Sequence, residues 1–93
     1  MKTAKYIKSI KWAGYSVLYE LSERVSYVDK ETDMIIVSSV DGMFGAETFV
    51  FPADKEGNSL EGSELKGSFK GTSGSHKDDH IKALKIMGYE IAW

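Results

Sequence analysis

Glu47-Thr48-Phe49-Val50-Phe51-Pro52-Ala53-Asp54-Lys55-Glu56-Gly57-Asn58 joins a run of aromatic and branched residues to a charged, glycine-containing turn. Such a run has the composition of a strand, and the only proline of the chain follows it at once. The pattern predicts a strand over 46–51 that Pro52 stops. Working outward, Asp41-Gly42 and Gly45 bracket a tight connection on its N-terminal side, with Met43 and Phe44 at the tip. Before that turn, Met34-Ile35-Ile36-Val37-Ser38-Ser39-Val40 is a short, nearly continuous apolar run. Runs of this kind mark a central strand covered on both faces. The two strands and their short link read as a hairpin within an antiparallel meander.

Upstream, Asp29-Lys30-Glu31-Thr32-Asp33 reads as a polar break. Tyr15, Val17, Tyr19 and Leu21 alternate along one face of a strand, although Leu18, Leu21, Val25 and Val28 also fit helical spacing. Tyr and Val enrichment favours the strand, continued over 25–28 after an irregularity at Ser22-Glu23. Lys5 to Trp12 alternates loosely, with Ile7 out of phase. A helix would group Tyr6, Ile7 and Ile10, but the turn residues Ala13-Gly14 that follow favour a strand here too.

Downstream, residues 54–75 are rich in glycine and serine, with Leu60, Leu65 and Phe69 as apolar anchors. Loops this long without regular structure tend to be functional or mobile. Ser75 followed by Asp78 reads as a capping box, and Lys82 and Lys85 suit the C-terminal end of the helix that begins there. Ile81 and Leu84, with Ala83 and Met87 as further candidates, supply a buried stripe, Gly88 ends the helix, and Tyr89, Ile91 and Trp93 alternate as a closing strand. The fold class is α+β: an antiparallel sheet of four to six strands, one C-terminal helix on one face and a short final strand.

Ninety-three residues make one domain spanning 1–93, with a core sufficient for marginal stability as a monomer or homodimer. Cysteine is absent, which removes disulfides and thiolate metal sites. No apolar run reaches the ~20 residues that span a bilayer, and the basic N-terminus lacks the apolar core of a signal peptide. A cytoplasmic location without membrane partners is expected. Net charge is −2, yet Lys2, Lys5, Lys8 and Lys11 precede any acid, leaving −6 on the remaining residues.

Several patterns approach known chemistry and stop short of it. His76 and His80 stand four residues apart, a spacing that chelates zinc on a helix, but the pentad is not the metalloprotease motif and no third ligand follows. Gly67-Ser68-Phe69-Lys70-Gly71-Thr72-Ser73-Gly74-Ser75 leads into a helix N-terminus without the Gly-Lys-Ser/Thr of a phosphate loop, so it reads as a flexible connector. Ser73 lacks the nucleophile elbow around it. Asp54, Glu56, Asn58 and Glu61 depart from EF-hand spacing, with Gly57 at the fourth position. No catalytic set and no cofactor is expected.

Two binding surfaces stand out. Met43 and Phe44, if exposed at their hairpin tip, are the candidate contact for a protein partner. The alternative is nucleic acid, bound through Lys2, Lys5, Lys8 and Lys11 with Trp12 and Tyr6 among them. Lysines on an edge strand also guard against edge-to-edge pairing, which is reason enough for them.

The run Glu47–Asn58, together with Glu64-Leu65, Gly67-Ser68, His80, Leu84 and Gly88-Tyr89, is similar to small uncharacterised proteins of phages and their hosts. The likeness covers residues 46–89, about half the chain. It implies a compact α+β fold and an accessory role in phage–host interaction, and it brings no active residues.

Overall fold

In the computed structural model, residues 2–12, 14–43, 45–60, 64–72 and 74–92 are described. The chain forms β1 (Thr3–Ser9), β2 (Tyr15–Tyr27), β3 (Lys30–Gly42), β4 (Gly45–Ala53), β5 (Phe69–Lys70), α1 (His76–Ile86) and β6 (Glu90–Ala92). One six-stranded sheet has the order β5-β4-β3-β2-β1-β6. The first five strands are antiparallel neighbours, as the meander reading expects. The last is not, since β6 pairs in parallel with β1, from Thr3↔Glu90 to Lys5↔Ala92. The expected antiparallel sheet is therefore mixed. After β5 the chain recrosses the sheet as a helix, and β6, entered from that return leg, runs beside β1 in the same direction.

Period two along the strands sorts side chains into two cores. Val17, Tyr19 and Leu21 of β2, Ile35 and Val37 of β3 and Val50 of β4 meet Ala83, Leu84 and Met87 on the helix side. Leu18, Met34, Ile36 and Ala53 form a smaller cluster on the other side, joined by Ile10. Every residue from Met34 to Ser39 is buried, as the continuous apolar run requires. The second face is covered by chain rather than by a helix. Buried Gly57 lies so close that a Cβ there would stand 3.3 Å from Ile10 Cδ1 and 3.8 Å from Leu18 Cδ2.

Irregularities fall where the alternation breaks. The β1–β2 register shifts between Tyr6 and Lys8, so Ile7 marks a bulge that moves Lys8 opposite Leu18. The β2–β3 register shifts between Glu20 and Val25, around the Ser22-Glu23 irregularity. The polar break at 29–33 is not a break, because β3 begins at Lys30 and the turn is Val28-Asp29. Both turn residues have positive φ, 43° and 60°, the signature of a type I′ hairpin.

Pro52 does not stop its strand. It pairs with Ile35 inside β4, one step out of phase with the residues that bond β3. Its missing N–H therefore faces outward, where no ladder bond is lost. Leu60 and residues 65–71 of the long segment that follows cover that outer side. Leu60 N–H donates to the Pro52 carbonyl at 2.8 Å, Leu65 N–H to Val50 at 2.8 Å and Gly71 N–H to Ala46 at 2.7 Å, while the Ser68 hydroxyl accepts from Val50 N–H at 2.9 Å. What reads as a connector is an edge guard.

The helix matches its capping signals but not its expected stripe: Ile81 is 38% exposed, and Ala83, Leu84 and Met87 face the sheet. Ser75 and Asp78 form a reciprocal capping box, and Gly88 follows with φ +91°.

Two outcomes test this account. A Cβ at Gly67 would lie 2.7 Å from the Ala83 carbonyl and 2.9 Å from Met87, so Gly67→Ala is expected to cost about 1–3 kcal/mol in urea unfolding. An unchanged midpoint would refute the packing of the 64–68 turn on α1. Val28 is 65% exposed at positive φ, so Val28→Asn is expected to stabilise by roughly 0.5–1 kcal/mol in the same assay.

Candidate functional site

The β3–β4 hairpin closes on the pair Gly42↔Gly45, which leaves a two-residue tip. Met43 stands there with 91% of its surface exposed. Phe44, the other half of the candidate pair, lies outside the described residues.

The tip shares its end of the sheet with two further segments. Tyr15, where β2 begins, is the register partner of Ser39, so the 10–14 link lies beside the base of the hairpin. Trp12 projects from that link, 38% exposed, with its ring 5.8 Å from Phe51 in an edge contact. Phe49 stacks on Phe51 at 6.0 Å and 23°. Both phenylalanines are half-buried and belong to the face of β4 away from α1. The helix reaches the same end, where His76 Nε2 lies 3.1 Å from Asp41 Oδ1. Met43 is thus presented on a braced hairpin whose partly open aromatic row lies further along, Phe49 being four and Phe51 six residues from Gly45. Sequence reasoning named Trp12 only in company with lysines and missed Phe49 and Phe51. Their alternation around Val50 was the available signal, since period two puts both on the face opposite Val50.

The four lysines do not form a stripe. Lys2 Nζ sits 4.6 Å over the Tyr89 ring and 4.0 Å from the Glu23 carboxylate. Lys5 is the register partner of Glu20, and Lys8 donates to the Glu56 carbonyl at 3.1 Å. Lys11 is exposed on the 10–14 link near Trp12. Lys2 also helps line a cavity of about 360 Å³ with Arg24, Glu64, Leu65 and Met87, where cations and acids are mixed.

The two histidines go separate ways. His80 is fully buried. Its Nε2–H donates to the Tyr15 carbonyl at 3.0 Å, which leaves Nδ1 to accept from the Tyr19 hydroxyl at 2.9 Å. Both ring nitrogens are committed within the core, while His76 turns to Asp41 at the surface. Among the described residues no group of three or more His, Asp or Glu side chains is placed to hold a metal ion. Nor, among them, is any helix long and apolar enough to cross a membrane.

Burial pushes the His80 imidazole down to about 4, helped by the charge of His76 and opposed by the Tyr15 carbonyl bond and Asp79. Burial, with the neighbouring phenols of Tyr15 and Tyr6, raises Tyr19. The remaining buried hydroxyls are also paired, Ser16 with Ser38 at 2.8 Å and Ser39 with Thr48 at 2.9 Å. These contacts hold the core polar groups in fixed positions rather than presenting a reactive one.

The chain matches no family model, no curated protein and no solved structure.

The His80 arrangement has a measurable sign. A histidine whose folded value lies below its unfolded value of 6.5 contributes stability above that pH. The contribution is lost as pH falls from 6.5 toward 4, by on the order of 3 kcal/mol. Unfolding free energies of the protein and of His80→Gln, measured between pH 7 and pH 4, are expected to show a shallower acid slope in the variant. Equal slopes would place the acid sensitivity elsewhere.

Proposed function

We propose that the protein is a non-catalytic binding module whose partner is another protein, docking on the end of the sheet that carries Met43 and Trp12. The observation that carries this reading is the near-complete exposure of Met43 on a tip closed by a glycine pair. A methionine held in water on a braced hairpin gains nothing for the fold, and it offers a deformable apolar contact. The Trp12–Phe51–Phe49 row extends the same apolar character down the adjoining face. Aromatic and methionine side chains are enriched where protein interfaces bury their centres.

The nucleic-acid alternative draws less support, since Lys2 and Lys8 are engaged within the molecule and Lys5 faces Glu20 in the register. The accessory role in phage–host interaction, in the cytoplasm, is compatible with a small module of this kind and is part of the proposal.

A photo-crosslinking residue at position 43, compared in producing cells with one at exposed Lys70, tests the reading. Position 43 is expected to yield a discrete protein adduct absent from position 70. Met43→Glu is then expected to weaken capture of the identified partner at least tenfold while shifting stability by less than about 0.5 kcal/mol. Identical adducts at both positions, or undiminished capture by Met43→Glu, would overturn it.

A further inference from the structure

The outer edge of β6 and the flank of α1 beside it have features that the Met43 surface does not use. Glu90 N–H donates to the Lys2 carbonyl at 3.0 Å, so Glu90 and, by alternation, Ala92 turn their backbone groups toward β1. Ile91 therefore turns its N–H and C=O the other way, to a side where no strand pairs among the described residues. On the helix side of this edge lies a groove of about 270 Å³ lined by Ile81, Lys85, Tyr89, Glu90 and Ile91. Ile81 is 38% exposed there. Glu90 is out of phase with Ile91, so its side chain belongs to the opposite face, and Lys85 is the charged side chain of the helix wall. Among the described residues Lys85 has no carboxylate paired with it.

We infer that this edge takes up an extended acidic segment of a protein partner as an added strand. The unpaired backbone groups of Ile91 set the conformation of the occupant, because only a strand meets an N–H and a C=O spaced along a sheet edge. The groove sets its side chains. An added strand directs alternate residues to the helix side, so an apolar residue meets Ile81 and Ile91 and an acidic one two places along meets Lys85. Three residues of edge are too few to pair indiscriminately, which is how native sheets blunt their edges. A strand holds here only if it also fills the groove, and selectivity follows from that requirement. The inference does not depend on Met43, and either surface stands if the other fails.

An NMR titration of the ¹⁵N-labelled protein with the capped peptide Thr-Ile-Thr-Glu-Thr, and with Thr-Ile-Thr-Lys-Thr as its counterpart, tests the assignment. The glutamate peptide is expected to shift the Ile91 amide, slow its hydrogen exchange and bind roughly fivefold more tightly than the lysine peptide. Lys85→Glu is expected to reverse that preference. Lys85→Gln, the milder change at the helix end, is expected to abolish it, and Ile81→Thr to weaken both peptides. An Ile91 amide untouched by millimolar peptide, or equal affinity for the two peptides, would overturn the proposal. So would an Ile91 shift produced by protein concentration alone, which would assign the edge to a second copy of the chain.

Discussion

Strand β3 is buried on both faces from Met34 to Ser39, and that demand for cover organises the rest of the molecule. A helix answers it on one side through Ala83, Leu84 and Met87. Among the described residues no second helix answers it on the other, so the turn around Gly57 and the segment at Ile10 close over Leu18 and Ile36 instead. Covering a sheet face with chain rather than with a helix fills it incompletely. The aromatic row of Trp12, Phe51 and Phe49 remains half open beyond the reach of that cover. The proposed binding face is in this sense a consequence of the fold having one helix for two faces.

The helix is fastened to the sheet by more than apolar contact. His80 joins the Tyr19 hydroxyl to the Tyr15 carbonyl, using both ring nitrogens in a fully buried position. Apolar packing alone tolerates sliding of a helix over a sheet, whereas two directional bonds to β2, at Tyr15 and Tyr19, define one seating. That seating carries α1 over the sheet so that the next strand emerges beside β1, and it aligns Ile81 and Lys85 with the edge of β6. It also brings His76 to Asp41 at the hairpin base. The same histidine whose spacing from His76 only approaches a metal pair is the pin that positions the helix on β2.

Much of the architecture was legible. The alternation in Tyr15–Leu21, the apolar run from Met34, the Ser75–Asp78 cap and Gly88 each signal their element through local physics, and each element stands where its signal lies. The errors share a cause. Pro52 reads as a stop because a proline cannot donate to a ladder, but which side its nitrogen faces is set by pairing with β3. The glycine-rich 54–71 segment reads as loose because its bonds run to the edge of β4, at a distance in sequence that composition does not reveal. Phe49 and Phe51 went unremarked for the same reason, since exposure on a face depends on what covers it.

Local sequence by itself determined the central runs of β1 to β4, the helix with its caps, the glycine-bracketed tip that carries Met43 and the absence of thiol chemistry. These depend on residues a few positions apart, where steric preference and side-chain period act directly. Only the tertiary structure decided the parallel pairing of β6, the burial of His80 away from His76, the dispersal of the lysines and the half-open aromatic face. Each of those is a relation between segments tens of residues apart, and it exists only once the sheet has brought them to the same place.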